Sequence, residues 1–324
     1  MTHPLPCSVI IRAFNEEKHI GRLLSGILQQ TVRPAEIVLV DSGSTDATLS
    51  IAAQFPVRVV NIRPDEFSFG RSLNRGLAAA RGEIAVVASA HVYPVYADWL
   101  EQLLSAFGDP RVGLSYGRQH GDAATRFSEQ QVFAKWFPSR SVAPQAHPFC
   151  NNANAAIRLA LWREHPYDED VPGLEDLAWA AWAMAQGHAI AYVAEAPVVH
   201  VHEETARMIY NRYRREAMAL RILHPGERFR LWDFVRLYAG NVFSDLLHAA
   251  RQKILRRETW GILRFRWMQF WGTYRGFAHA GPISGGLKHI FYYPREADPT
   301  QVPEARSARR VDYRAHGEDA GEQG

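Results

Sequence analysis

The stretch Glu36-Ile37-Val38-Leu39-Val40-Asp41-Ser42-Gly43-Ser44-Thr45-Asp46-Ala47-Thr48 decides the fold. Residues 37–40 form an unbroken apolar run rich in β-branched side chains, the pattern of a strand buried on both faces of a parallel sheet. The run stops at a carboxylate followed by small turn-forming residues. Asp41 is thereby placed at the carboxyl end of a strand, the edge where open α/β sheets bind their ligands. Its carboxylate suits a base N–H or a ribose hydroxyl, and it suits equally the cap of a following helix. Ser42, Gly43 and Ser44 keep the loop low enough for a ligand to reach the backbone.

Two further segments end in the same way. Residues 8–11 are a short apolar strand followed by Arg12-Ala13-Phe14-Asn15-Glu16, and residues 84–88 are another, followed by Ser89-Ala90-His91. Helical patterns over 20–29 and 49–54 and a strand over 57–62 lie between them. This alternation predicts an α/β fold, a mostly parallel sheet flanked by helices, with three polar loops on one rim.

The ordered set of Arg12-Ala13-Phe14-Asn15-Glu16, Val40 through Thr48, Asn74-Arg75-Gly76 through Arg81-Gly82-Glu83, and Gly173-Leu174-Glu175-Asp176 resembles the family 2 glycosyltransferases. These are inverting nucleotide-sugar enzymes of the GT-A fold, and the resemblance covers about the first two thirds of the chain, in the family's order. It implies transfer of a single hexose or deoxyhexose from a nucleotide-diphosphate donor to a hydroxyl of a lipid-linked or polysaccharide acceptor in bacterial surface-glycan synthesis. In the family the Asp of such a Glu-Asp pair is the general base, which assigns Asp176, with Glu175 beside it. Donor-binding positions carried over are Arg12, Phe14, Asn15, Glu16, Asp41, Ser42, Gly43, Arg71, Asn74, Ser89, Ala90 and His91. The acceptor side is assigned Asn152, Asn154 and Trp179. The asparagines at 151–154 can serve a sugar's hydroxyls or simply stabilise a turn.

One motif departs from the family. Relatives carry an Asp-x-Asp whose carboxylate holds a divalent metal on the diphosphate, and this chain has Ser89-Ala90-His91. Two arrangements satisfy that change: a divalent cation, manganese in preference to magnesium, on His91 and His202, or metal-free catalysis with His91 and arginines neutralising the leaving group. Loss of the carboxylates also suits a nucleotide-sugar-binding protein without activity, although the retained Glu175-Asp176 favours an enzyme. No Gly-rich triphosphate loop marks a nucleotidyltransferase. The Gln-x-x-Arg-Trp of processive synthases is absent, because Leu263 stands where the glutamine would precede Arg266-Trp267.

Composition sets the remaining bounds. The 324 residues, 47% hydrophobic and 22% charged, describe an ordinary globular chain, and the two cysteines, Cys7 and Cys150, lack metal-ligand spacing. No leader pattern or membrane-length apolar run is present, so the expected location is cytoplasmic and neither secreted nor integral. Net charge is only +3, yet from Thr205 to Arg275 fifteen basic residues face five acidic ones. Helical patterns run over 203–223, with Arg207, Arg214 and Arg221 on one stripe, over 234–257, and over 260–277. Basic amphipathic helices with Trp and Tyr suit the inner face of an anionic membrane, with no nucleic-acid partner expected. The expected organisation is a catalytic domain over 1–204, a helical basic region over 205–293 and a disordered tail over 294–324.

Overall fold

The computed structural model describes residues 6–278 and 308–313. Eight strands form one sheet in the order β3-β2-β1-β4-β7-β6-β8-β5. They are β1 (Cys7–Ala13), β2 (Glu36–Asp41), β3 (Val57–Asn61), β4 (Ile84–Ser89), β5 (Val92–Pro94), β6 (Val112–His120), β7 (Asn154–Arg158) and β8 (Ala189–His200). The half from β3 to β4 is parallel as the alternation predicts. Beyond β4 the sheet is mixed: β7 runs antiparallel to both β4 and β6, β6 is parallel to β8, and β5 is antiparallel to β8.

The apolar runs are buried on both faces. Val9 and Ile11, Ile37 and Leu39, and Val86 and Ala88 enter one core, and Ile10, Val38, Val40, Ala85 and Val87 enter the other. The first core is closed by α1 (Ile20–Leu28) and α4 (Trp99–Ser105), with the short α2 (Thr48–Ala52) beside α1. The second is closed by α3 (Phe69–Ala79), α5 (Phe127–Trp136), α6 (Leu159–Glu164) and α7 (Glu175–Ala185). Cys7 and Cys150 are buried free thiols. Among the described residues no helix is long and apolar enough to cross a membrane.

Several boundaries differ from the sequence reading. Pro94 ends β5, the edge strand of the sheet, where a residue without an N–H breaks no interior ladder, and α4 begins at Trp99. The helical pattern over 234–257 is interrupted, because Lys253 takes a left-handed conformation (φ 60°) between α9 (Leu231–Arg251) and α10 (Leu255–Phe277). Of the tail expected to be disordered, residues 308–313 are docked: the Ala97 N–H donates to Arg309 O, the Val311 N–H to Val95 O, and the Asp312 N–H to Gln29 Oε1. The rest of that tail, and residues 279–293 of the helical region, lie outside the described residues.

The C-terminal helices α8 (Ala206–Leu223), α9 and α10 pack onto one another and onto α5. Arg266 of α10 is buried. Its guanidinium grips Asp245 of α9 with two bonds, 2.7 and 2.9 Å, and reaches Gln269 Oε1 at 2.8 Å. A bidentate buried pair of this kind is destabilising to break from one side. Contact between α8 and α10 depends on two glycines, since a Cβ at Gly272 would lie 2.5 Å from Tyr210 O and one at Gly276 the same distance from Arg214 O. Those are backbone atoms and cannot swing aside. Replacing both glycines by Ala is expected to lower stability by about 1–3 kcal/mol per site through overpacking, more than the ~1 kcal/mol gained in helix propensity. A urea melt of the double variant checks this; an unchanged or raised midpoint would mean that the helices have slack.

Candidate active site

The register Ala13 opposite Asp41 brings the turns after β1 and β2 side by side, and their polar residues latch together. The Asn15 N–H donates to Ser44 Oγ (2.9 Å), the Thr45 N–H to Asn15 Oδ1 (2.8 Å), the Glu16 N–H to Thr48 Oγ1 (2.7 Å) and the Glu17 N–H to Asp46 Oδ2 (3.0 Å). This explains the Ser-Thr-Asp-x-Thr chemistry: it holds the Phe14–Glu17 turn in place, with Asn15 at positive φ and the Phe14 ring 55% exposed. Asp41 accepts the N–H groups of Gly43 and Ser44 on Oδ2, while its buried Oδ1 has no partner. Gly43 sits at φ +90°, a conformation that L side chains rarely adopt.

These turns border a cleft of about 790 Å³ whose lining includes Arg12, Phe14, Asn15, Glu16, Ser89 and His91 on one side and Glu175 and Asp176 on the other. Asp41, Ser42, Gly43 and Ala90, assigned to the donor, do not line it: Asp41 and Ser42 are buried beneath their turn, and Ala90 is a core residue with no exposed surface. Arg12 and Arg215 both stack on Phe69, 4.9 and 4.4 Å from its centroid, and each keeps a buried guanidinium nitrogen without a hydrogen-bond partner. Arg215 was not singled out from sequence, because it stands within a run of arginines on α8.

Asp176 opens α7 after Leu174, which adopts a left-handed conformation. Its Oδ2 accepts the Asn152 N–H (3.0 Å) and its Oδ1 the Leu177 N–H (2.8 Å). The Asn152 amide donates to Glu175 Oε1 and accepts from the Tyr167 hydroxyl, so Asn152 positions both acids and has little left for a ligand. Burial first, and the neighbouring Glu175 carboxylate second, push the Asp176 pKa up to about 7.

Four residues assigned to ligands are occupied elsewhere. Trp179 is a core side chain, 1% exposed, with its indole N–H on His165 O. Asn154 is fully buried, donating to Arg118 O and Ala196 O and accepting from the Trp99 indole. Arg71 is paired with Glu169 (2.7 Å), and Asn74 clamps Tyr167, Glu169 and the Trp162 indole, so both fasten α3 to the 167–169 segment. Neither lines the cleft.

The antiparallel pairing of β5 with β8 sets Val92 opposite His200, and the Val201 N–H donates to His91 O. One nitrogen of each of His91, His200 and His202 consequently falls within 4.8 Å of the others. Each Nδ1 faces an oxygen acceptor: Glu16 Oε1 at 2.7 Å, Gln119 Oε1 at 2.7 Å and Glu129 Oε1 at 2.8 Å. That arrangement assigns the proton to Nδ1 and leaves an Nε2 lone pair on each ring, the one on His91 facing the Ser89 hydroxyl at 3.2 Å; it is the tautomer of a metal-binding imidazole backed by an outer shell of oxygens. Burial holds His200 and His202 well below the ordinary histidine pKa, and both are neutral. The convergence of His200 with His91 depends on a strand pairing that local sequence does not reveal. Glu129 also accepts from Arg212 (2.8 Å), whose guanidinium forks onto Glu204.

Behind Asp176 lies a second cavity of about 170 Å³, walled by aromatic residues of α5 and its flanks, Phe133, Trp136, Phe137 and Phe149, and by Gln269 and Thr273 of α10. It shares Asp176, His200, His202, Arg212 and Glu216 with the cleft.

Residues 8–164 match the family described as glycosyl transferase family 2. The chain is 30% identical over 198 residues to the O-antigen chain rhamnosyltransferase WbaN of Salmonella anatum, covering 57% of this chain and 62% of that protein. It is 27% identical over 220 residues to the O-antigen chain rhamnosyltransferase RfbN of Salmonella typhimurium, covering 64% and 69%. The fold is similar to that of the mannosyltransferase PcManGT of Pyrobaculum calidifontis, solved with GDP-Man and Mn2+ (TM-score 0.57, 20% identity, 90% and 88% covered), and to Staphylococcus aureus TarS 1–349 with UDP (0.51, 18%, 82% and 90%). With a sheet of the GT-A type and the matching turns after β1 and β2, residues 8–164 form a glycosyl transferase family 2 region.

Proposed function

We propose that the chain transfers one sugar, with inversion, from a nucleoside-diphosphate donor in the cleft to a glycan hydroxyl presented from the aromatic cavity. The observation that carries this is Asp176, a buried carboxylate fixed by two backbone N–H groups where the two spaces meet. The exposed Phe14 ring offers a stacking face for the base, and Asp41, holding the Gly43 and Ser44 N–H groups, shapes the neighbouring turn. Arg12 and Arg215 have nitrogens free for the diphosphate. The acceptor oxygen bonds to the anomeric carbon as the bond to phosphate breaks; the electron pair leaves with the diphosphate and the hydroxyl proton passes to Asp176. The rhamnosyltransferase relatives support a deoxyhexose donor and a surface-glycan acceptor. Intact positioning of Asp176 supports catalysis over mere binding.

A divalent cation fits the three imidazoles, and when bound it would stabilise the negative charge of the departing diphosphate. A set of three nitrogen donors suits a transition-series ion such as manganese over magnesium. Glu16, Gln119 and Glu129 orient the ligands, and Arg12 and Arg215 supply fixed positive charge in either case.

Three expectations follow from this assignment. Asp176→Asn lowers turnover about 10²–10⁴-fold, measured with a panel of nucleoside-diphosphate sugars, while donor affinity by calorimetry stays within a few fold; wild-type turnover would overturn the assignment. The base acts ionised, so with its pKa raised to about 7 the rate falls as pH falls through that value. The sign for stability is opposite in use: because the folded pKa exceeds the ordinary 3.8, this group's contribution is full below that value and is lost as pH rises through about 7. Finally, the protein with bound nucleoside diphosphate takes up one manganese, followed by electron paramagnetic resonance, and His200→Ala weakens that uptake about 10-fold or more. Equal uptake by the variant would exclude His200 as a ligand.

A further inference from the structure

The outward face of α9 is unlike the surface of a helix that meets only water. Its exposed residues are Leu231, Trp232, Val235, Arg236, Ala239, Gly240, Phe243, Leu247, Ala250 and Arg251, spaced along one side of the helix. Trp232 is 71% exposed and Phe243 64%. The only charges among these ten are two arginines. Next to this face α10 contributes Trp260, 73% exposed, and Trp267, whose ring packs edge-on against Phe234 and Tyr238 of α9.

The surrounding charge is one-sided. Every exposed charged residue from 228 to 267 is basic: Arg228, Arg230, Arg236, Arg251, Lys253, Arg256, Arg257 and Arg264. The acids of the same segment are engaged, one of them buried and two partly exposed. Asp233 accepts the Arg230 N–H at the start of α9, Asp245 is buried on Arg266, and Glu258 engages Arg257. The cationic stripe expected on α8, with Arg207 and Arg214 exposed, is therefore the lesser feature; the aromatic and basic groups coincide on α9 and the start of α10.

We propose that this face docks on an anionic lipid bilayer, with α9 lying in the interface over about 30 Å, its Trp, Phe and Leu side chains among the acyl chains and the surrounding arginines on the headgroups. Charge complementarity selects this occupant, because a second copy would bring its own eight cations against these. The inference does not rest on glycosyl transfer, so it stands or falls separately from the proposed activity.

The test is co-sedimentation of the full chain with vesicles of phosphatidylcholine alone or with 30% phosphatidylglycerol, on the order of what an anionic leaflet carries. Partition is expected onto the anionic vesicles only, falling steeply between low and high salt. Trp232→Glu with Phe243→Glu, and separately Arg236→Glu with Arg251→Glu, are each expected to weaken it more than 10-fold, while Arg163→Glu, on the surface of α6, leaves it unchanged. Circular dichroism and gel filtration verify that the variants fold, and brominated lipid is expected to quench tryptophan emission less in the Trp232→Phe, Trp260→Phe variant. Equal partition of the wild type onto neutral vesicles, equal binding by all variants, or a dimer that Trp232→Glu with Phe243→Glu dissociates without any vesicle binding would each overturn the proposal.

Discussion

Arg212 is the joint on which the site depends. From α8 it forks onto Glu204 and reaches Glu129 of α5, and the same Glu129 oxygen orients His202. Burial raises the Glu129 pKa, and the guanidinium opposes that rise, so the pair is held by mutual compensation and not by solvent. Removing Arg212 would leave a buried carboxylate uncompensated and release an imidazole of the histidine cluster. The C-terminal helices are thus walls of the active site and not an appended region: Gln269 and Thr273 reach the aromatic cavity, and Gly272 and Gly276 let α10 come close enough to α8 to do so. The expected division at residue 204 describes composition better than it describes packing.

Much of the fold was legible because its signals are local. A run such as Val38–Val40 that alternates between two cores must be apolar at every position, and the sequence shows that directly. Asp176, His91 and the Phe14–Glu16 turn stand out in the sequence because each adjoins a readable element: Asp176 in the first turn of α7, His91 just after β4 and the turn just after β1. What escaped depends on contacts between distant segments. His200 becomes a partner of His91 only through the β5–β8 ladder, and Arg215 reaches the cleft only because α8 folds back beside Phe69. The errors have the same origin in reverse: Trp179 and Asn154 look available in sequence, yet the core needs the first as volume and the second as a bridge joining Trp99, Arg118 and Ala196.

The replacement of Asp-x-Asp is now easier to understand. A carboxylate at position 91 would face Glu16 and stand near two imidazoles; a histidine there joins them, and Glu16 becomes its orienting acceptor. Negative charge is moved one layer outward while donors to a cation are kept. Arg12 and Arg215 supply fixed positive charge on the other flank.

In the proposed reaction Asp176 deprotonates the acceptor while the diphosphate departs from the opposite face of the sugar. The anomeric configuration of the new bond tests it most directly, read by the one-bond carbon–proton coupling of the product against that of the donor. The product is expected to carry the opposite configuration. Retention of the donor's configuration would contradict it, because a single displacement assisted by a base cannot give that outcome.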